Sequence, residues 1–365
     1  MSDRPRASRL RLPPLAGQAL TVAGAGAGGA AVAALGVPAG WLSGAMFATA
    51  VMAALRVAAP LSTPLRWLAM VFSGVAIGSA VTPAMIKSVA AYPLSIGLMS
   101  LSVAVSTGVC SSLLARVRGW SRATAFFASV PGALSYVFSV AATMENVDVS
   151  RIAVVQVLRV FLLMGFAPLL ATESGVASAN AITPYLNDPP ATLLALLALG
   201  AATGFLLERL RVAGGMLFGG MLASGVAHAM AWAPGRPPPS IAMFAQILIG
   251  AWVGARFIGF DWGLFARSTF AAVGSFVVAI VIAAGFSYGA AVWLHAPFAQ
   301  TLLAFSPGGL EAMTLLAFAM GIDPLFVGAH HLARFFLISA TLPLALKIWM
   351  RAGAERPAVS ARADG

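Results

Sequence analysis

Apolar windows about 20 residues long, the length that a membrane-spanning helix needs, recur from one end of the chain to the other, and short gaps between them hold most of the charge. At 1.5 Å per residue, such a window crosses a hydrocarbon core of about 30 Å. The pattern predicts helical spans near 18–36, 39–55, 66–84, 92–115 and 152–172. A second set follows near 190–207, 212–231, 239–257, 268–294 and 325–347. Two further apolar stretches, 121–144 and 299–320, are interrupted by VPGAL and SPGGLE. The expected fold class is an all-α polytopic membrane protein.

Composition agrees with the pattern. The 365 residues are 60% hydrophobic and only 9% charged, against about 25% charged in soluble domains. A net charge of +11 would point to nucleic acid in a soluble protein. Here the arginines sit in the gaps between apolar runs, as the positive-inside rule expects, and direct nucleic-acid binding is not expected. Cys110 is alone in an apolar run, which leaves no disulfide or cysteine-based metal site within one chain. Arg4, Arg6, Arg9 and Arg11 precede the first run. Residues 1–14 read as a cytoplasmic basic N-terminus before an uncleaved first span.

The chain resembles itself. AGWLSGAMFATAV at 39–51 matches GGMLFGGMLASGV at 214–226, and LAMVFSGVAIGSAV at 68–81 matches FAQILIGAWVGARF at 244–257. VPGALSYVFSVAA at 130–142 matches SPGGLEAMTLLAF at 306–318, and VVQVLRVFLL at 154–163 matches AHHLARFFLI at 329–338. An offset that holds to within one position over four segments marks an internal duplication. The expected division is a first membrane repeat at 15–175, a linker at 176–187, a second repeat at 188–350 and a cytoplasmic tail at 351–365.

Charge orients the halves. If both interrupted stretches cross the membrane, Lys87, Arg151, Arg209, Arg211, Arg256 and Arg267 are stranded outside. If each dips in and returns, only Lys87 and Arg236 lie outside, and the halves are inverted relative to each other. The rule favours the second arrangement, with both termini cytoplasmic. Inverted repeats with broken segments near mid-membrane are a common plan of secondary transporters.

The interruptions carry the candidate chemistry. Pro131 and Gly132 in one half, and Pro307, Gly308 and Gly309 in the other, end one half-helix and start another. Non-helical backbone is tolerated at membrane depth only where protein or a watery cavity covers it. A packing kink is the alternative reading. Glu311 must face the interior of the protein or be protonated, and its counterpart Ser135 is neutral. Arg159 and Arg334 each lie inside an apolar run, three residues after Gln156 and His331. Residues at that spacing share a helix face. A central arginine needs partners: Glu311, the carbonyls freed at the breaks, or an anionic solute. A purely structural arginine tying two helices together is the alternative. His330 and His331 point about 100° apart on a helix, so a shared metal ion is not expected. Asp323-Pro324 reads as an N-cap followed by the first residue of a helix, with Asp148 in the same part in the first half. Gly74-x-x-x-Gly78 and Gly250-x-x-x-Gly254 permit close helix approach.

The duplicated PGGL segment, the acidic-Pro turn after it and the HHLARFFL helix resemble the membrane AbrB family over nearly the whole chain. Its bacterial members carry the labels transcriptional regulator and ammonia monooxygenase. The resemblance implies an inner-membrane protein with a role in regulation of gene expression. It also implies an acid after each PGGL; here only Glu311 fits, and the first half begins PGAL with Ser135 and Tyr136. Monooxygenase chemistry would need copper ligands, and the four histidines are scattered.

The expected function is transporter-like: binding and translocation of a small anionic or zwitterionic solute, coupled to a proton or cation, by Pro131, Gly132, Ser135, Gln156, Arg159, Pro307, Gly308, Gly309, Glu311, His331 and Arg334. The alternative is a membrane-embedded regulator acting without direct DNA binding. A membrane enzyme is not expected, nor is a cofactor. The partners are the lipid bilayer and the solute, and a homo-oligomer is compatible with the chain.

Overall fold

The computed structural model describes residues 13–81, 89, 92–132, 134–142, 144, 147–172 and 186–351. The basic N-terminus before residue 13, Lys87, most of the linker, the tail after 351 and the side chain of Ser135 lie outside the described residues.

The first half contains α1 (Pro14–Ala34), α2 (Gly40–Ala54), α3 (Thr63–Gly78), α4 (Tyr92–Leu114), α5 (Arg122–Ser129), α6 (Leu134–Ala141) and α7 (Val149–Thr172). The second contains α8 (Pro190–Arg209), α9 (Gly215–Ala229), α10 (Pro239–Gly254), α11 (Trp262–Leu294), α12 (Phe298–Phe305), α13 (Leu310–Ala319) and α14 (Pro324–Arg351). Seven stretches of the described residues are long and apolar enough to cross a membrane, with α2, α3, α9 and α13 as shorter apolar helices. Proline opens α1, α3, α8 and α10, where its missing N–H would have had no partner anyway. Exposed apolar side chains such as Phe270, Leu194 and Val281 cover the outside, as suits a surface solvated by lipid tails. The protein is a multi-pass, all-α membrane protein.

Left-handed turns recur between the halves. Gly36, Ala39, Arg56 and Gly119 have positive φ, and so do Arg211, Gly214, Ala231 and His295. Each of the second four follows its counterpart at the same offset that relates the repeated segments. Ala39 and Arg56 hold a conformation that costs a non-glycine residue about 1–2 kcal/mol, so the turn geometry is imposed by the packing around it.

That packing runs through glycine. α3 lies on α9 with Gly74 against Gly220 and Met221, and Gly78 against Met221 and Ser224. α2 lies on α10 with Gly250 against Leu42 and Ala45, and Gly254 against Met46 and Thr49. In both pairs residue numbers rise together, so the helices run parallel. By contrast, α4 and α11 run antiparallel: Cys110 bonds to the Ser275 carbonyl at one end, while Leu94 and Trp293 line one groove at the other. α1 on α2 and α8 on α9 are antiparallel as well, with Gly40 against Ala33 and Gly204 against Met216.

The two interrupted stretches are hairpins. The Asp148 backbone N–H donates to Thr124 Oγ1 at 2.9 Å, so the chain leaving α6 returns beside the start of α5. In the second half Leu303 and Ser306 accept from His331 and Arg334, which places α12 parallel to α14. Thr314 lies against Gly328, so α13 runs back antiparallel to it. Asp148 and Asp323 cap α7 and α14 as expected, each accepting from backbone N–H groups at 2.9–3.1 Å.

The end of the linker is pinned. Asp188 is buried and accepts from Gly235 N–H at 3.0 Å. Its other carboxylate oxygen lies 3.3 Å from His228 Nε2, and its N–H donates to Arg236 O.

Candidate functional site

The site begins with two buried arginines. α5 ends at Ser129 and α12 at Phe305, and each leaves carbonyls without intrahelical partners at the negative end of its dipole. Arg159 Nη2 donates to Ala128 O at 2.8 Å and Nη1 to Val130 O at 3.4 Å. Arg334 Nη1 donates to Ser306 O at 2.6 Å and Nη2 to Gly308 O at 2.5 Å. Hydrogen bonds to charged groups contribute about 1.5–3 kcal/mol each, so each guanidinium fastens one break to the helix that follows it. Of the partners open to these arginines, the carbonyls freed at the breaks take both.

The neighbour three residues earlier completes each grip. Gln156 Nε2 donates to Phe127 O at 3.1 Å. His331 Nε2 donates to Leu303 O at 3.0 Å, and its Nδ1 accepts from Arg334. Phe127 and Leu303 are separated by the offset that relates the matching segments, so the two grips correspond. They differ by one rung. Ser306 corresponds to Val130 and Gly308 to Gly132, so Arg334 reaches two residues nearer its hairpin tip than Arg159 does.

The tips meet. A methyl on Gly132 would lie 3.4 Å from Arg334 Nε, and Gly132 sits at φ +79°, where a side chain is strained. At Gly308 a methyl would strike Met313 and Leu163. Each tip therefore touches a helix of the opposite half.

A cavity of about 470 Å³ opens beside this junction. Its lining includes Gly132, Gln156, Arg159, Pro307, Gly308, Gly309, Glu311, His331 and Arg334. The structure thus gathers nine of the eleven expected site residues. Pro131 is buried at the tip but does not line the cavity. The side chain of Ser135 lies outside the described residues. The sequence reading missed Arg66, Trp252 and Arg256, which also line it. Arg66 lies 6.0 Å and Arg256 5.1 Å from the Trp252 ring, as cation–π pairs do.

Charge is unbalanced. The cavity is lined by Arg66, Arg159, Arg256 and Arg334 against a single acid, Glu311. Among the described residues, none of the four forms an ion pair with a carboxylate; the pairs found are Arg151–Asp148 and His228–Asp188. Arg159 is buried, yet its Nε has no acceptor, and the same is true of Arg66 Nε. The N-terminal turn of α13, with Gly309 at its cap and no side chain capping it, faces the same space.

These features define a multi-pass helical membrane protein with a basic cavity where two interrupted hairpins meet. Residues 41–350 match the family described as "Transition state regulatory protein AbrB", and the chain belongs to that AbrB family. It is 25% identical over 314 residues to "Putative regulator AbrB" of Escherichia coli (strain K12), covering 84% of this chain and 89% of that one. It is 24% identical over 351 residues to "Uncharacterized protein YhjN" of Bacillus subtilis (strain 168), covering 87% of this chain and 89% of that one.

Proposed function

We propose that this protein is a transporter of a small anionic or zwitterionic solute in the bacterial inner membrane. It is built from two inverted repeats at 15–175 and 188–350, with the two hairpins as re-entrant segments and both termini in the cytoplasm. The observation that carries the reading is the cavity at the hairpin tips, lined by four arginines and one glutamate.

Helix directions support the inverted arrangement. With ten crossings, α3 and α9 traverse the membrane in the same sense, as do α2 and α10, while α4 and α11 oppose each other. Twelve crossings would reverse all three relations. The parallel α3–α9 and α2–α10 contacts and the antiparallel α4–α11 contact agree with ten. Interrupted hairpins around a midplane site are the plan of many secondary transporters, and in this reading Glu311 carries the coupling proton. In this orientation Arg66 and Arg256 lie toward the cytoplasm, so that end of the cavity faces that side.

The family description and the name of the Escherichia coli relative favour a second reading, in which the protein affects gene expression from the membrane without touching DNA. The two readings join if the expression effect follows from movement of the solute.

The test is flux in proteoliposomes. The reading expects a pH-dependent anion flux in the unsubstituted protein that is lost in Arg256→Gln and uncoupled from pH in Glu311→Gln. Transcript changes in cells with no flux of any anion or zwitterion would favour the regulator.

A further inference from the structure

The geometry points to a ligand with two separated acid groups, a small organic dianion of the dicarboxylate class. This deepens the transport reading and rests on the same cavity. Two kinds of positive pole face it. One is Arg66 and Arg256, both held against Trp252 at the ends of α3 and α10. The other is the hairpin tip, where the first turn of α13 has no capping side chain at Gly309, the Glu311 carboxylate takes only its own backbone N–H, and Arg159 keeps a buried Nε without an acceptor. Arg66 Nε is the matching unfilled donor at the first pole.

An unfilled buried donor is costly, and a carboxylate offers acceptors for several donors at once. Arg159 and Arg334 already spend two donors each on backbone carbonyls, so their positive charge is partly answered by the dipole ends of α5 and α12. Arg66 has no such partner: the hydrogen bond found for it is to the neutral Thr63 hydroxyl, and Arg256 has only the charge of Glu311 to answer it. A single carboxylate at the tip would leave Arg66 unanswered and Arg256 with Glu311 alone. An ammonium group would meet four guanidinium groups and one acid. A second carboxylate near Trp252 answers the first pole, and a cavity of about 470 Å³ lies within the ordinary range for small ligands, about 300–1,000 Å³.

Three four-carbon probes separate the classes: succinate with two acids, butyrate with one, and 4-aminobutyrate as the zwitterion. Inorganic phosphate serves as a compact dianion. Binding is read by thermal stabilisation and by calorimetry on the full-length protein in detergent. Succinate is expected to bind at least tenfold more tightly than any of the other three. Arg256→Gln is expected to weaken succinate at least tenfold and butyrate less than threefold, and Arg256→Lys to restore part of the loss. Equal binding of succinate and butyrate overturns the inference, as does tighter binding of 4-aminobutyrate or phosphate, or no binding of any probe by a monodisperse preparation. Succinate bound but never moved across liposomes would refute transport and leave this inference standing. Flux of a monoanion or zwitterion without succinate binding would do the reverse.

Discussion

Gly250→Ala probes the contact that sets one half against the other. The glycine lies where α10 crosses α2, and an added methyl would lie 2.8 Å from the Ala45 methyl and 3.0 Å from Met46 N, with the Leu42 carbonyl oxygen nearer still. Carbon atoms pack best at about 3.5–4.0 Å, so α10 must withdraw by roughly 0.7–1 Å. A gap of that size forfeits a quarter to a half of each dispersion contact along the seam. Overpacking of a tight core costs about 1–3 kcal/mol, and the equivalent crossing at Gly74 should respond alike, because its methyl would lie 2.8 Å from Met221 N. Gly274 on α11 provides the control: nothing lies within 4 Å of a methyl there, and alanine is favoured over glycine in a helix by about 0.5–1 kcal/mol. That gain applies at both sites and cancels, so the two substitutions should differ by the overpacking cost, about 1–3 kcal/mol, in reversible unfolding from mixed micelles. Equal stabilities of Gly250→Ala and Gly274→Ala would refute the packing argument.

Arg159→Gln should cost about 1–3 kcal/mol for each carbonyl, Ala128 or Val130, left buried without a donor, read as a fall in thermal unfolding temperature; a change under about 1 kcal/mol contradicts the role. Asp188→Ala should cost about 1–3 kcal/mol, whereas Asp188→Asn keeps an acceptor for Gly235 and should cost less; equal losses would show that the cap is not the reason. If the halves exchange states during transport, a structure open to the opposite side should show Arg159 gripping Val130 and Gly132, and Arg334 gripping Ala304 and Ser306. Unchanged grips in that state would contradict the exchange.

The spans were legible because length and apolarity suffice to mark them: α4 and α7 begin and end close to the expected bounds. Arg159 and Arg334 stood out because a charge inside an apolar run needs a partner, and the freed carbonyls were among the partners expected. Arg66 and Arg256 were hidden by the rule that oriented the chain. Each sits near the end of a helix, where any arginine reads as positive-inside, and they belong to different halves of the chain. Arg256 follows Trp252 by four residues on the same helical segment, but only the packing of α3 against α10 brings Arg66 to that ring. Asp188 was hidden for a similar reason, since its partners Gly235 and His228 belong to the far end of α9. Pro131 was assigned to the site by analogy with Pro307, and only Pro307 lines the cavity.

The most direct test of the inverted arrangement is the sidedness of two loops. Cysteines placed at the equivalent loop positions Leu35 and Leu210, one in each half, in a background where Cys110 is buried, are labelled in intact cells with a reagent that cannot cross the membrane. Ten crossings predict that Leu35→Cys is labelled from outside and that Leu210→Cys is labelled only after the membrane is opened. Labelling of both from the same side would mean that the first hairpin traverses the bilayer and that the halves are parallel.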